Sequence, residues 1–177
     1  MKPMLCGKTK VLHHKHFPEV IDPELLPLWE ELNKKLFNGR LNRPYSLIYK
    51  YDLGRYGGIC QFGKIENSNV GIAIRGQLKG TSEVRKVMAH ELVHQFCYQE
   101  WWRLASTIKV NMSEMVDDKS AFFKYWLAYV AHLMDTTYSD LASYDGKYLD
   151  YTGNPSQTTY IHTLSAKSLL EEAFSED

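Results

Sequence analysis

The pentapeptide His90-Glu91-Leu92-Val93-His94 holds the residues of this chain best suited to chemistry. Histidines four apart on an α-helix lie on one face, one turn above the other, so their imidazoles can converge on a single cation. Zinc suits such a pair, and catalytic zinc sites keep one position for water. Glu91 would then stand beside the metal without being obliged to bind it, where a carboxylate can take a proton from metal-bound water. That is the chemistry of a metallopeptidase. With the histidine and glutamate content of this chain the pattern is expected by chance about 0.02 times, so its surroundings decide what it is worth.

Those surroundings are helical. Thr81 and Ser82 can cap a helix, Glu83 suits its first turn, and no glycine or proline interrupts the chain from Thr81 to Arg103. Val84, Met88, Leu92 and Phe96, with Ala89 and Val93 one step round, make an apolar stripe, and His90, Glu91, His94 and Val87 share the adjoining face. One face is expected to pack and the other to bind metal.

The elements that must position this helix follow from the chain around it. Residues 1–20 read as a basic arm, with Lys2, Lys8, Lys10 and Lys15 around the cluster His13-His14-Lys15-His16, which could hold a metal or a phosphate backbone but suits a solvated segment. Asp22-Pro23-Glu24 supplies an N-cap, a first-turn proline and a first-turn acid for a helix through Leu25, Trp29, Leu32 and Leu36 that ends near Asn38-Gly39. Three short β-type runs follow, Tyr45 to Tyr51, Ile59 to Ile65 and Val70 to Ile74, separated by glycines and by Asn67-Ser68-Asn69. They predict a small antiparallel sheet behind the metal site, with Gly57 to Gln61 a candidate edge for a substrate strand, or equally a bulge whose glycines serve folding. Ser106 to Val116 reads as a connection, and Ala121 to Leu133 as a second core helix preceded by Asp117-Asp118-Lys119-Ser120. Beyond Asp135 the chain turns polar, with a turn at Tyr144 to Tyr148 and an acidic tail from Leu169 to Asp177. The fold class expected is α+β, with a domain over residues 21–135 and an extension over 136–177.

Composition narrows the function classes. The 177 residues, 44% apolar and 24% charged, suit one domain with a sizeable core. Lys plus Arg equals Asp plus Glu at 21 each, so overall charge makes no case for nucleic acid or membrane as the main partner. Cys6, Cys60 and Cys97 are too few and too scattered for a disulfide framework or a four-cysteine zinc site, which points to a reducing, intracellular compartment. No run reaches signal-peptide or membrane-span character, and a soluble protein is expected.

Taken together, Leu36-Phe37-Asn38-Gly39-Arg40-Leu41, Gly58-Ile59-Cys60, Val70 to Ile74 and the His90–His94 helix, in this order and spacing over roughly residues 22–133, resemble the SprT-like zinc metallopeptidases, which include the Spartan proteases. The resemblance implies an α+β, zincin-like (gluzincin-like) catalytic domain with one zinc, an intracellular setting and protein substrates; in the Spartan branch these are proteins bound or crosslinked to DNA. It also implies a third metal ligand before the following helix. The family has a histidine in a Gly-His-Gly stretch; this chain has Asp117-Asp118-Lys119, and Asp118 falls where the histidine would be. A carboxylate is a legitimate zinc ligand.

Asp117 and His132 remain alternatives for that third position. A metzincin arrangement would need Gly at 97 and His at 100, where Cys97 and Glu100 stand, and a continuous helix turns Glu100 off the metal face. Tyr160 and His162 are candidates for stabilising an oxyanion. The reading reached is a zinc endopeptidase with His90, His94 and Asp118 on the metal and Glu91 as general base. Its alternatives are a catalytically silent metal-binding or interaction domain, supported by the altered third ligand, and a nucleic-acid-binding module, supported by the basic arm and the aromatic content.

Overall fold

The structure, a computed structural model, describes residues 17–54, 56–62, 70–104, 107 and 109–142. Residues 1–16 of the arm with its histidine cluster, the Asn67–Asn69 turn, the Tyr144–Tyr148 turn, Tyr160, His162 and the acidic tail lie outside the described residues.

The first helix, α1 (Leu25–Phe37), begins as its sequence predicts: the Asp22 carboxylate accepts from the Glu24 N–H at 2.8 Å and the Asp22 carbonyl accepts from the Leu25 N–H at 3.0 Å. It stops where Asn38 and Gly39 turn left-handed, at φ 56° and 74°, and the Gly39 N–H reaches back to the Asn33 carbonyl at 3.0 Å. Asn33 then clamps Leu41 through both backbone groups, and Gln95 and Gln99 reach from the central helix to Asn42. The turn after α1 is thereby tied to the helix that carries the two histidines.

Three strands follow, β1 (Ser46–Lys50), β2 (Gly58–Phe62) and β3 (Val70–Arg75), in the spatial order β1-β3-β2. β2 and β3 are antiparallel, but β1 and β3 are parallel, so the sheet is mixed and not the antiparallel one expected. The burial of β3 explains this. Residues Val70 to Ile74 are buried without alternation, because Val70, Ile72 and Ile74 face the main core while Ala73 packs with Phe17, Leu53 and Tyr56 on the opposite face. A strand covered on both faces takes the centre of the sheet, and the 51–69 stretch is long enough to carry the chain across to a parallel partner. Gly71 belongs to the same crowding, since a Cβ there would stand 2.8 Å from the Phe17 ring. The outer side of β1 is lined by residues 20–22, with Ile21 bridged to Leu47. Among the described residues β2 is the open edge.

A 3-10 turn (Gly76–Leu78) leads into α2 (Glu83–Leu104), whose 22 residues span about 33 Å. The Thr81 hydroxyl accepts from the Glu83 N–H at 3.2 Å, as expected of a cap. Every residue from Val87 to Tyr98 is buried, so the division into a packed face and an open face does not hold. The helix runs through the middle of the molecule, against the sheet and α1 on some sides and α3 (Ser113–Val116), α4 (Ala121–Leu133) and α5 (Tyr138–Ala142) on others. Ser120 caps α4 by accepting from the Phe123 N–H at 3.0 Å. The packed body overruns both expected boundaries: Phe17, placed in the arm, is buried, and α5, placed in the extension, packs on α2 and α4. No described helix is long and apolar enough to cross a membrane.

Candidate metal centre

His90 and His94 do share a face of α2, and the turn between α3 and α4 brings Asp118 onto it. The ligand atoms of His90, His94 and Asp118 all lie within 4.8 Å of one another, a group that could hold a metal ion. Asp118 Oδ1 is 2.5 Å from His94 Nε2, and Asp118 Oδ2 is 3.8 Å from His90 Nε2. A four-coordinate ion with ligand bonds of about 2.0–2.1 Å sets its ligand atoms roughly 3.3 Å apart, a value the two observed separations bracket.

The outer contacts of the imidazoles favour the same use. His90 Nδ1 lies 2.9 Å from the Leu141 carbonyl and His94 Nδ1 lies 2.7 Å from the Val116 carbonyl. A carbonyl can only accept, so each Nδ1 carries a proton, and in the neutral imidazole each Nε2 then keeps a lone pair facing Asp118. Such anchoring fixes the tautomer and ring orientation of metal-binding histidines. Despite their closeness, His94 Nε2 and Asp118 Oδ1 make no hydrogen bond with each other or with any other described group, although both are buried. Two buried acceptors left facing one another are costly unless a cation or proton lies between them, and that is the observation that fits a metal.

Burial lowers the pKa of His90, but the Asp118 carboxylate beside it, with Glu91 and the Leu141 carbonyl, outweighs burial and leaves it raised. Burial likewise pushes Asp118 up, but the two imidazoles hold it well below the ordinary carboxylate range. The signs give a testable contrast. A raised histidine pKa adds stability to the metal-free protein as pH falls from the folded-state value of His90 to the ordinary histidine value, where the gain is complete, whereas the depressed Asp118 costs stability once pH falls below the ordinary carboxylate range. Above the carboxylate range, therefore, acid should stabilise the metal-free protein at this pair. It should weaken metal binding over the same window, by about one decade per pH unit for each proton displaced. Chelator competition and thermal melts between pH 8 and 5.5 check both signs.

The remaining candidates fall elsewhere. Asp117 Oδ1 accepts from the Lys119 N–H at 3.0 Å and shapes the turn instead of facing the histidines. His132 is exposed in the last turn of α4. Glu100 binds Arg103 at 2.8 Å, and burial raises its pKa. Cys97 is buried on α2, with burial pushing its thiol well up. None of the four belongs to the cluster.

Glu91 is buried, and its carboxylate borders the open edge strand: a Cβ built on Gly58 would stand 3.0 Å from Glu91 Oε2 and 2.7 Å from Val87 Cγ1. Gly58 is therefore required by close approach, and the edge anticipated at Gly57 to Gln61 does run past the glutamate. Arg75 steadies the loop before it, its N–H bonding the Gly57 carbonyl at 2.7 Å and its guanidinium the Tyr56 and Gly54 carbonyls. Sequence reasoning missed three participants. Phe123 stacks on His94 with ring centroids 4.0 Å apart and meets His90 edge-on, walling one side of the pair; it was visible only as one apolar residue of the α4 stripe. The Leu141 and Val116 carbonyls are backbone groups, which no residue type announces.

No protein-family model, curated protein or solved structure matches this chain.

Proposed function

We propose that this protein is a zinc-dependent endopeptidase of SprT-like type, with His90, His94 and Asp118 as metal ligands and Glu91 as general base. The observation that carries the reading is the pair of Nδ1-anchored imidazoles facing a buried carboxylate, with Glu91 one residue along the helix and against the edge strand. Two imidazoles and one carboxylate are the ligand set of a catalytic zinc with a position left for water. When bound, zinc would supply Lewis acidity, polarising a scissile carbonyl and lowering the pKa of water toward about 7.

The chain's own residues account for the rest. An extended peptide can add to β2 through backbone N–H and C=O groups, which secures a protein substrate without selecting its side chains. Glu91, beside that edge, takes the proton of the attacking water and passes it to the leaving amine. Phe123 and the buried surroundings of α2 exclude bulk water from the imidazoles, and the main-chain carbonyls keep both rings in the tautomer that leaves Nε2 to the metal. Proteins bound to DNA are compatible substrates, but the net charge of zero supplies no electrostatic recruitment to DNA.

Purified protein should degrade an unfolded protein substrate, lose that activity to a zinc chelator and regain it on zinc addition. A zinc-loaded protein that cleaves nothing would favour the silent metal-binding domain, the reading to which the aspartate at the third position lends support. Gly58→Ala is expected to lower kcat by at least about 10-fold with zinc retained, because the added methyl must displace Val87 or the Glu91 carboxylate, at a cost of about 1–3 kcal/mol in stability. Unchanged kcat in that variant would separate the edge strand from the chemistry.

A further inference from the structure

α5 is stitched to α2 at two successive turns. Lys86 and His90 are four apart on α2 and so lie one above the other. The two adjacent α5 residues meet them: the Asp140 carboxylate binds Lys86 Nζ at 3.1 Å, and the Leu141 carbonyl takes His90 Nδ1 at 2.9 Å. Asp140 is itself fixed. Its other carboxylate oxygen accepts from the Thr136 hydroxyl, and its N–H bonds the Thr137 hydroxyl at 3.1 Å. Lys86 also has Glu83 at 3.6 Å on its own helix. Tyr138, Leu141 and Ala142 are buried, which seats α5 on α2 and α4. The ion pair is half-exposed, and such pairs contribute little to global stability. This one, however, sits one residue from the group that orients a proposed ligand.

We propose that Asp140, through Lys86 and α5, is a positioning residue for His90: it holds the Leu141 carbonyl on Nδ1 and thereby fixes the imidazole tautomer that presents Nε2 to the metal. The proposal rests on the metal-centre reading above. Loss of outer partners of metal-binding histidines typically weakens metal affinity 10- to 100-fold, and an indirect contact should fall at the low end, about 10-fold.

The test uses the full chain. Zinc affinity is measured by chelator competition, and the His90 Nδ1–H is observed by nitrogen-15 NMR of the metal-free protein, for wild type, Asp140→Ala, Lys86→Met and the exchanged pair Lys86→Asp/Asp140→Lys. Glu31→Ala is the control: it breaks the 2.8 Å Arg85–Glu31 pair, beside Lys86 on α2 but directed to α1. Asp140→Ala and Lys86→Met should each bind zinc about 10-fold more weakly and lose the protected Nδ1–H signal, the exchanged pair should recover part of both, and Glu31→Ala should change neither. Wild-type affinity and an intact Nδ1–H signal in both Asp140→Ala and Lys86→Met would overturn the proposal. Should wild type bind no zinc, the metal-centre reading fails, and the Nδ1–H signal alone still decides whether Asp140 positions His90.

Discussion

Glu91→Gln should keep its zinc and lose hydrolysis by about 100- to 10,000-fold, the range supplied by a positioned general base. The amide has nearly the shape of the carboxylate, which matters in a site where Glu91 is buried and its Oε2 borders Gly58. It cannot accept the proton of the attacking water. Since Glu91 is outside the ligand cluster of His90, His94 and Asp118, zinc stoichiometry should stay at the wild-type value. Metal content and cleavage of an unfolded protein, measured on one preparation, separate the two effects. Cleavage at the wild-type rate would remove Glu91 from the role of base, and loss of zinc would make it a ligand.

Asp118→Ala should be the most damaging single change to metal binding outside the histidines, lowering zinc affinity by roughly 1,000-fold or more, because two imidazoles and water form an incomplete catalytic set. The substitution also removes the carboxylate that lies 3.8 Å from His90 Nε2, so the metal-free protein should lose the raised His90 pKa that Asp118 helps to sustain. Asp117→Ala makes the comparison informative. Its carboxylate shapes the turn by accepting from the Lys119 N–H, so its loss acts through orientation alone and should cost 10- to 100-fold at most. Asp118→His should recover zinc relative to Asp118→Ala. Equal affinity in wild type and Asp118→Ala would refute the assignment.

Local signals in the chain foretold much of this molecule. The Asp22 start and Asn38-Gly39 stop of α1, the Thr81 cap, the uninterrupted α2 and the three strands were legible because propensity, capping and periodicity agree there. The cluster that could hold a metal was legible as well: the i, i+4 histidines place themselves, and Asp118 was implied by the resemblance to the SprT-like peptidases, as the residue standing where that family has a histidine. Pairing was not. Neighbouring short strands suggest hairpins, whereas β1 joins β3 in parallel because β3 is covered on both faces; its unbroken run Val70-Gly71-Ile72-Ala73-Ile74 carried that signal. The fully buried middle of α2 escaped because His90, Glu91, His94 and Gln95 look polar in sequence, and only their partners make burial tolerable. α5 escaped for a related reason: five residues within a polar stretch give too short a window for periodicity, and its part in the site is played by a backbone carbonyl.

Metal analysis of the purified protein, beside the variant His90→Ala/His94→Ala, decides whether these residues form a zinc centre. Close to one equivalent of zinc is expected in the wild type and none in the variant, with the variant still folded because α1, the sheet and the apolar contacts of α2 remain. Wild-type protein that is correctly folded yet takes up no zinc when it is offered would contradict a zinc centre here.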